Sequence, residues 1–394
     1  MLDNDMIEFL TYRNAMKSNY RKGVHALRCI LNNRKQAETF AGSLGGVSLV
    51  LGVSQPDGNS EALRALLEGS AVIDQATLTW LKNWWPEQCG SWDTLAADQG
   101  RCSTIATDPF LWERVGVSPV GAGKILAGLV GQDSRNFAAM QAVASSATAM
   151  QAVASSATAM QAVAVSPVAI AAIYRSDVAL SAVDSEVSAA ATFYGADSVA
   201  MGKAVVILAG LDPAGYAAMS AVAASATAMS AVAANYVALV ALYSNAEALS
   251  IAQGTTVGTA ALAGAGSVAT GKAAVKLAGL DPDDFADMAA VAASSTAMAA
   301  VAASATALDA LYAKKKRMSG GSASLSGKFI ILEISGDNAF KIGQYGYATL
   351  SDGSQPNWDN YKNKYAYFKQ FKKYATYMRN DTDGDDWIDY FQVS

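Results

Sequence analysis

The chain has 394 residues, 52% of them hydrophobic, and a formal net charge of -5, so its overall balance gives no reason to bind nucleic acid or an anionic membrane. Much of the hydrophobic fraction is alanine, which buries little area per residue and suits thin, closely packed helices better than a large globular core. One histidine, His25, rules out a multi-histidine metal site, and Cys29, Cys89 and Cys102 lack metal-ligand spacing.

Residues 1–117 are mixed and aromatic. The start, Met1-Leu-Asp-Asn-Asp, is acidic and polar rather than charged then apolar, so a signal peptide is not expected. The longest weakly apolar stretch, residues 41–53, is Gly/Ser-rich and shorter than a bilayer-spanning helix, so membrane insertion is not expected. Apolar positions fall at helical spacing in Met6-Ile-Glu-Phe-Leu10 and Leu63-Arg-Ala-Leu-Leu67, and tryptophans stand at 80, 84, 85, 92 and 112. His25, on a basic helical stretch, reads as a surface residue. The cysteines read as buried or free thiols, with a Cys89–Cys102 disulfide as the alternative.

Residues 118–317 repeat. Ser146-Ala-Thr-Ala-Met150-Gln-Ala-Val153-Ala-Ser155 is followed by Ser156-Ala-Thr-Ala-Met160-Gln-Ala-Val163-Ala-Val165 and Ser166-Pro-Val-Ala-Ile170-Ala-Ala-Ile173-Tyr-Arg175. Four residues before each large apolar side chain stand Asn136, Ser146, Ser156, Ser166, Ser176, Ser225, Asn235, Asn245, Asp284, Ser294 and Ser304, with Gly215 the weakest case. Those side chains accept hydrogen bonds from the exposed amides of a helix start, and Pro167 then falls at the first helical position. The spacing therefore predicts one two-turn helix per ten residues. A single long helix is the rival, but a ten-residue period of ~3.3 residues per turn would make its apolar stripe spiral away. Helices this short need neighbours for packing, which predicts a linear array whose units lean on each other and on further chains.

A longer repeat encloses the short one. Ser198-Val-Ala-Met-Gly-Lys203 through Pro213 recurs as Ser267-Val-Ala-Thr-Gly-Lys272 through Pro282, with a reduced copy at residues 118–129. Gly123-Lys124, Gly202-Lys203 and Gly271-Lys272 lack the earlier glycine and the following Ser/Thr of a phosphate loop, so they read as structural spacers. Lys314-Lys-Lys-Arg317 closes the last helical unit and reads as a solvated cap on a helix C-terminus, with contact to an acidic surface sugar as the functional alternative.

Residues 318–326 read as a Ser/Gly linker and 327–394 as a β-rich tip. Asp381, Asp383, Asp385 and Asp389 alternate as calcium ligands do, but Asp386 stands where the loop needs glycine and Gln392 where an acid should close it. The competing explanation is a turn at Asp383-Gly384 joining residues 374–378 to 387–391 as a hairpin. Beyond this calcium reading, no cofactor is expected. Asn357, Trp358, Asp359, Asn360 and Tyr361 combine rings with amide and carboxylate groups suited to a sugar or protein surface, and they are the candidate receptor contacts. Glu333, Asp337, Asp352 and Asp359 are the acids that a glycan-cleaving tip would have to pair.

Tandem Ser-x-Thr-Ala-Met-x-Ala-Val-Ala units at 146–165, 225–234 and 294–303 resemble the repeat tracts of bacteriophage tail-fibre and side-fibre proteins. Gly327-Lys-Phe-Ile-Ile-Leu-Glu333 and the terminal Tyr390-Phe-Gln-Val-Ser394 are similar to their distal tips. The resemblance implies a non-enzymatic homotrimer in the virion, assembled in the host cytoplasm. Its N-terminal zone would anchor on a tail, baseplate or collar protein and its tip would touch a bacterial surface glycan or protein. The expected fold is multidomain: a mainly α N-terminal domain, an elongated shaft of short helical repeats, and a small β-rich C-terminal tip. A collar, whisker or connector fibre is the alternative, and a polysaccharide-cleaving tip is a third reading.

Overall fold

In the computed structural model, residues 71–319, 323–334, 346–356, 365–380 and 387–393 are described. His25, Cys29, the candidate contacts at 357–361, and Asp381, Asp383 and Asp385 lie outside them. The chain is mostly helical with one small antiparallel sheet near its C-terminus. It falls into two compact units, residues 1–221 and 222–394, so the division lies inside the repeat tract rather than at either composition boundary.

In the first unit, α1 (Ala71–Leu81), α2 (Trp92–Ala96), α3 (Gln99–Thr107) and α4 (Pro109–Val115) bury Trp80, Trp92 and Trp112. Ser91, Asp98 and Asp108 cap the last three by accepting amide hydrogens. These helices pack directly on the repeats. Trp112 Nε1 donates to Ala162 O at 2.8 Å, and Ser166 Oγ to Gly116 O at 2.5 Å. Cys89 and Cys102 are buried and free, so the disulfide alternative is set aside.

The decapeptides fold as separate helices. After α5 (Pro119–Leu129) and a 3-10 turn at Ser134–Asn136 come α6 (Met140–Ala144), α7 (Ala147–Ala154), α8 (Ala157–Ala164), α9 (Pro167–Tyr174), α10 (Asp177–Asp184), α11 (Val187–Tyr194) and α12 (Ser198–Leu208). The hydroxyls of Ser146, Ser156, Ser166 and Ser176 each accept from the amide three residues on. An eight-residue helix cannot hold itself in water. Its support comes from the helix three positions away: α6 packs on α9, α7 on α10, α8 on α11 and α9 on α12. The geometric cause is the joint, where the chain bends by 101° between α8 and α9 and by 84° between α11 and α12. Three such bends bring a helix back over its predecessor. Met150, Val153, Met160, Val163, Ile170 and Ile173 are buried in the centre, each worth roughly 1.5–3 kcal/mol relative to exposure. Ala149, Ala159, Ala169 and Ala179 are also fully buried, as expected of a small residue where backbones cross.

The second unit continues the plan after α13 (Met219–Ala224), which straddles the boundary. α14 (Ala226–Ala234), α15 (Tyr236–Ser244), α16 (Ala246–Gln253), α17 (Thr256–Gly264) and α18 (Ser267–Leu277) are followed by α19 (Met288–Ala293), α20 (Ser295–Ala303) and α21 (Ala305–Tyr312). Here α14 packs on α17, α15 on α18, and α18 on α21. Where these pairs form, the apolar face of the repeat is covered within the same chain.

Asn136, Gly215 and Asp284 are not helix caps. Each ends a 3-10 turn, at Ser134–Asn136, Pro213–Gly215 and Pro282–Asp284, and the helix at Met288 is capped instead by Asp287. The Gly-Lys helices α5, α12 and α18 explain their glycines. A Cβ on Gly123, Gly202 or Gly271 would run into the backbone at Met140, Met219 or Met288, the first helical residue of the following run. Gly131, Gly210 and Gly279 then reverse the chain at φ +73, +79 and +77. Gly131, eight residues after Gly123, is thus the counterpart of Gly210 and Gly279, which extends the reduced copy beyond residue 129.

The sheet holds β1 (Lys316–Ser319), β2 (Ala323–Ile334), β3 (Gly346–Leu350), β4 (Ala375–Asn380) and β5 (Trp387–Gln392) in the order β1-β5-β2-β4-β3, with α22 (Ala366–Phe371) before β4. β1 and β2 occupy the stretch read as a Ser/Gly linker: β1 ends at Ser319 and β2 begins at Ala323. The expected hairpin between residues 374–378 and 387–391 does not form. β2 lies between β4 and β5 and is antiparallel to both, which makes those two strands parallel. Register shifts at Ser326/Phe329 and Ile331/Glu333 bend β2, and Asn380 at the end of β4 donates to Met318 O on β1 at 3.4 Å, so the sheet curls. Its inner face buries Phe329, Ile331, Met378 and Ile388. Ile330, Leu332, Phe391 and Val393 pack from the other face against Met298, Leu308 and Leu311 of the last helices. Two buried faces are why Phe329-Ile-Ile-Leu332 reads as a continuous apolar run.

Candidate functional site

The joint between helices and sheet is built from the basic run 314–317. Asp389, on β5, is fully buried, and both its oxygens are taken: Lys315 Nζ donates at 2.6 Å, and Arg317 bonds bidentately at 2.7 and 2.9 Å. Burial opposes ionisation of Asp389, but these two cations outweigh it and hold its carboxyl below the usual range. The Arg317 guanidinium also lies 3.5 Å from the Trp387 ring centre. Lys314 donates to Ala265 O and reaches Thr270 Oγ1 at 3.3 Å; burial lowers its pKa. Lys316 donates to Gln392 at 2.6 Å. The run is therefore a set of ties across the joint, not a solvated helix cap.

Asp389 is likewise in use where a calcium ligand was expected: it is fully buried, and three of its roughly four lone-pair sites accept from Lys315 and Arg317. Among the described residues no group of three or more His, Cys, Asp or Glu is placed to hold a metal ion.

Around the same joint, the Tyr312 hydroxyl donates to Glu333 and accepts from Lys315, both at 2.7 Å, and the Tyr365 hydroxyl donates to Asp309 at 2.7 Å. Burial first, and then these carboxylates, raise the pKa of both tyrosines. Of the acids considered for glycan cleavage, Glu333 is tied into this network. Asp352 is held below its usual range by hydrogen bonds from Lys373 and Ser354. Asp337 and Asp359 lie outside the described residues.

The outward face of β2, β4 and β3 carries a second constellation, which the candidate contacts at 357–361 do not include. In one cross-strand row Ser326 stands opposite Tyr377, which stands opposite Thr349; in the next, Ser324 stands opposite Arg379, which stands opposite Tyr347. All six are exposed or half-buried. The Tyr347 and Tyr377 rings meet on the diagonal, with centroids 5.4 Å apart and planes tilted by 35°. Gln355, exposed beside them, donates to Thr349 Oγ1 at 3.1 Å. The sequence signal was present in the alternation Tyr347-Ala-Thr349 and Tyr377-Met-Arg379.

The first unit has two further concavities. An open polar groove of about 710 Å³ is lined by Asp93, Thr94, Gln99, Gln132, Asp133 and Arg135 among others. Asp93 there binds Lys124 at 2.7 Å and Ser134 at 2.9 Å. An apolar hollow of about 180 Å³ lies between Val117, Pro119, Pro167, Val168, Ile207 and Pro213, with Lys203 at its wall.

No protein-family model matches the chain, and no curated protein matches it either. Among the described residues no single helix is long and apolar enough to cross a membrane, although three bent helix pairs reach the length and composition together.

Proposed function

We propose that the chain is a structural fibre protein of a bacteriophage virion, with an N-terminal zone that anchors on a virion protein and a C-terminal sheet that contacts the bacterial surface. The observation that carries this reading is stacking at a spacing of three helices, as between α7 and α10 or α15 and α18. An array built this way lengthens turn by turn without a new core, which is what a shaft requires. The sheet adds support because its helix-facing side is only partly covered: Ile330, Leu332 and Phe391 pack on α20 and α21, while Tyr347 and Tyr377 on that same side stay half-exposed.

The homotrimer belongs to this reading through the resemblance of the repeats. Light scattering combined with sedimentation of the full-length protein tests both parts. The fibre reading expects a frictional ratio well above that of a globular protein and a mass of three chains; a low ratio would overturn the shaft. Labelled protein should bind bacterial cells. Binding to virions but never to cells would instead make it a collar, whisker or connector fibre.

A further inference from the structure

We infer that the outward face of β2, β4 and β3 is a glycan-binding platform centred on Tyr347 and Tyr377, its ligand a pyranosyl oligosaccharide or polysaccharide of the bacterial surface. This deepens the host-contact part of the fibre reading and rests on it. Three observations carry the choice of ligand.

Two tyrosine rings stand half-exposed on one face with centroids 5.4 Å apart. Half-exposed rings of this kind offer an apolar surface to the C–H face of a sugar while their hydroxyls stay wet. The surrounding side chains are Ser324, Ser326, Thr349, Gln355 and Arg379, all hydroxyl, amide or guanidinium. Sugar hydroxyls need that mixture of donors and acceptors. No large aliphatic side chain interrupts the two rows, so a protein partner would find no apolar anchor beyond the rings themselves.

The platform is also held rigid from below. Met378 and Asn380, on the opposite side of β4, are fully buried, and so is Ala348 under β3. Rigid presentation limits the ordering cost of binding.

The strand edge offers the competing occupant. Among the described strands β3 is the last of the sheet, and its edge is where a partner peptide would pair. That is a different class of ligand and serves as an outcome of the test.

The experiment probes an array of purified bacterial surface polysaccharides and pyranosyl oligosaccharides with the full-length chain, the Tyr347→Ser/Tyr377→Ser double variant and the Tyr347→Phe/Tyr377→Phe double variant. Circular dichroism confirms the fold of each. The platform predicts wild-type binding to at least one glycan, a loss of tenfold or more in the serine variant, and near-retention in the phenylalanine variant. A serine variant that binds the same glycans as well as wild type would overturn the platform and leave host contact standing elsewhere on the chain. Wild type that binds cells but no glycan would also overturn it, in favour of a protein receptor or strand pairing at β3. Wild type that binds neither would overturn the platform and the host-contact reading together.

Discussion

In the helical array, an eight-residue helix such as 157–164 is fixed by one serine cap, two large buried side chains and a neighbour three helices along. In the sheet, β2 is fixed by strands that arrive only after residue 374, and the joint above it by an aspartate at 389. The first region is assembled from local rules repeated many times, and the second from contacts distant in sequence. Damage to one should therefore be graded and local, and damage to the other should be felt wherever β5 makes contact.

The sharpest way to break the local rules is at a helix crossing. Gly271→Ala places a methyl group against the backbone of Asp287 and Met288, neither of which can rotate away. It should cost about 3 kcal/mol, the upper part of the overpacking range, in denaturant unfolding. Gly264→Ala, where a Cβ meets nothing, should be nearly silent.

Next in size is the joint. Asp389→Asn removes the acid between Lys315 and Arg317 and should destabilise by roughly 2–3 kcal/mol, at the low side for a buried pair because both cations are partly hydrated. The same network sets a pH dependence. Because the folded-state pKa of Asp389 lies below the ordinary 3.8, its contribution is complete above that value and is lost as the pH falls through the folded pKa. Acid titration followed by tryptophan fluorescence should show that loss only below about pH 4, in the range of ordinary carboxylates, and Asp389→Asn should abolish it.

The caps come third. Ser156→Ala should cost about 1 kcal/mol, the usual value of a helix N-cap. Ser176→Ala should cost about twice that, because the Ser176 hydroxyl also donates to Ala144 O on an adjacent turn at 2.7 Å and its loss strands a buried carbonyl. Equal costs in thermal unfolding would mean that the cross-turn bond contributes nothing.

Smallest in energy is the thiol test of the aromatic head. Burial pushes Cys89 up to about 11 and Cys102 up to about 12, so neither should react appreciably with a thiol reagent at pH 8 before unfolding. Comparing the native protein with Cys29→Ser isolates these two.

The short helices were legible because each decapeptide states its own start. Ser146, Ser156, Ser166 and Ser176 occupy the cap and Met or Ile the core, all within ten residues. Their stacking by threes was not legible, because it follows from the bend at each joint, which residue spacing does not encode. Asn136, Gly215 and Asp284 misled for a related reason: cap residue types also favour tight 3-10 turns. The sheet was legible only as strands. Ser324 and Ser326 sit in β2 because their face is open to water, so a polar alternating strand looked like a linker. The basic run 314–317 looked solvated because its acid partner lies more than seventy residues away.

Tandem duplication tests the central claim, that three short helices make one turn of the array within a single chain. One variant repeats residues 146–175, three whole units; the other repeats only 146–155. Thermal unfolding by circular dichroism should show the thirty-residue duplication adding helix signal with an unchanged or higher midpoint, since every later helix keeps its partner. The ten-residue duplication shifts each later helix by one place around the coil and should lower the midpoint. Equal stability of the two variants would contradict stacking by threes, and with it the account of how these helices are held.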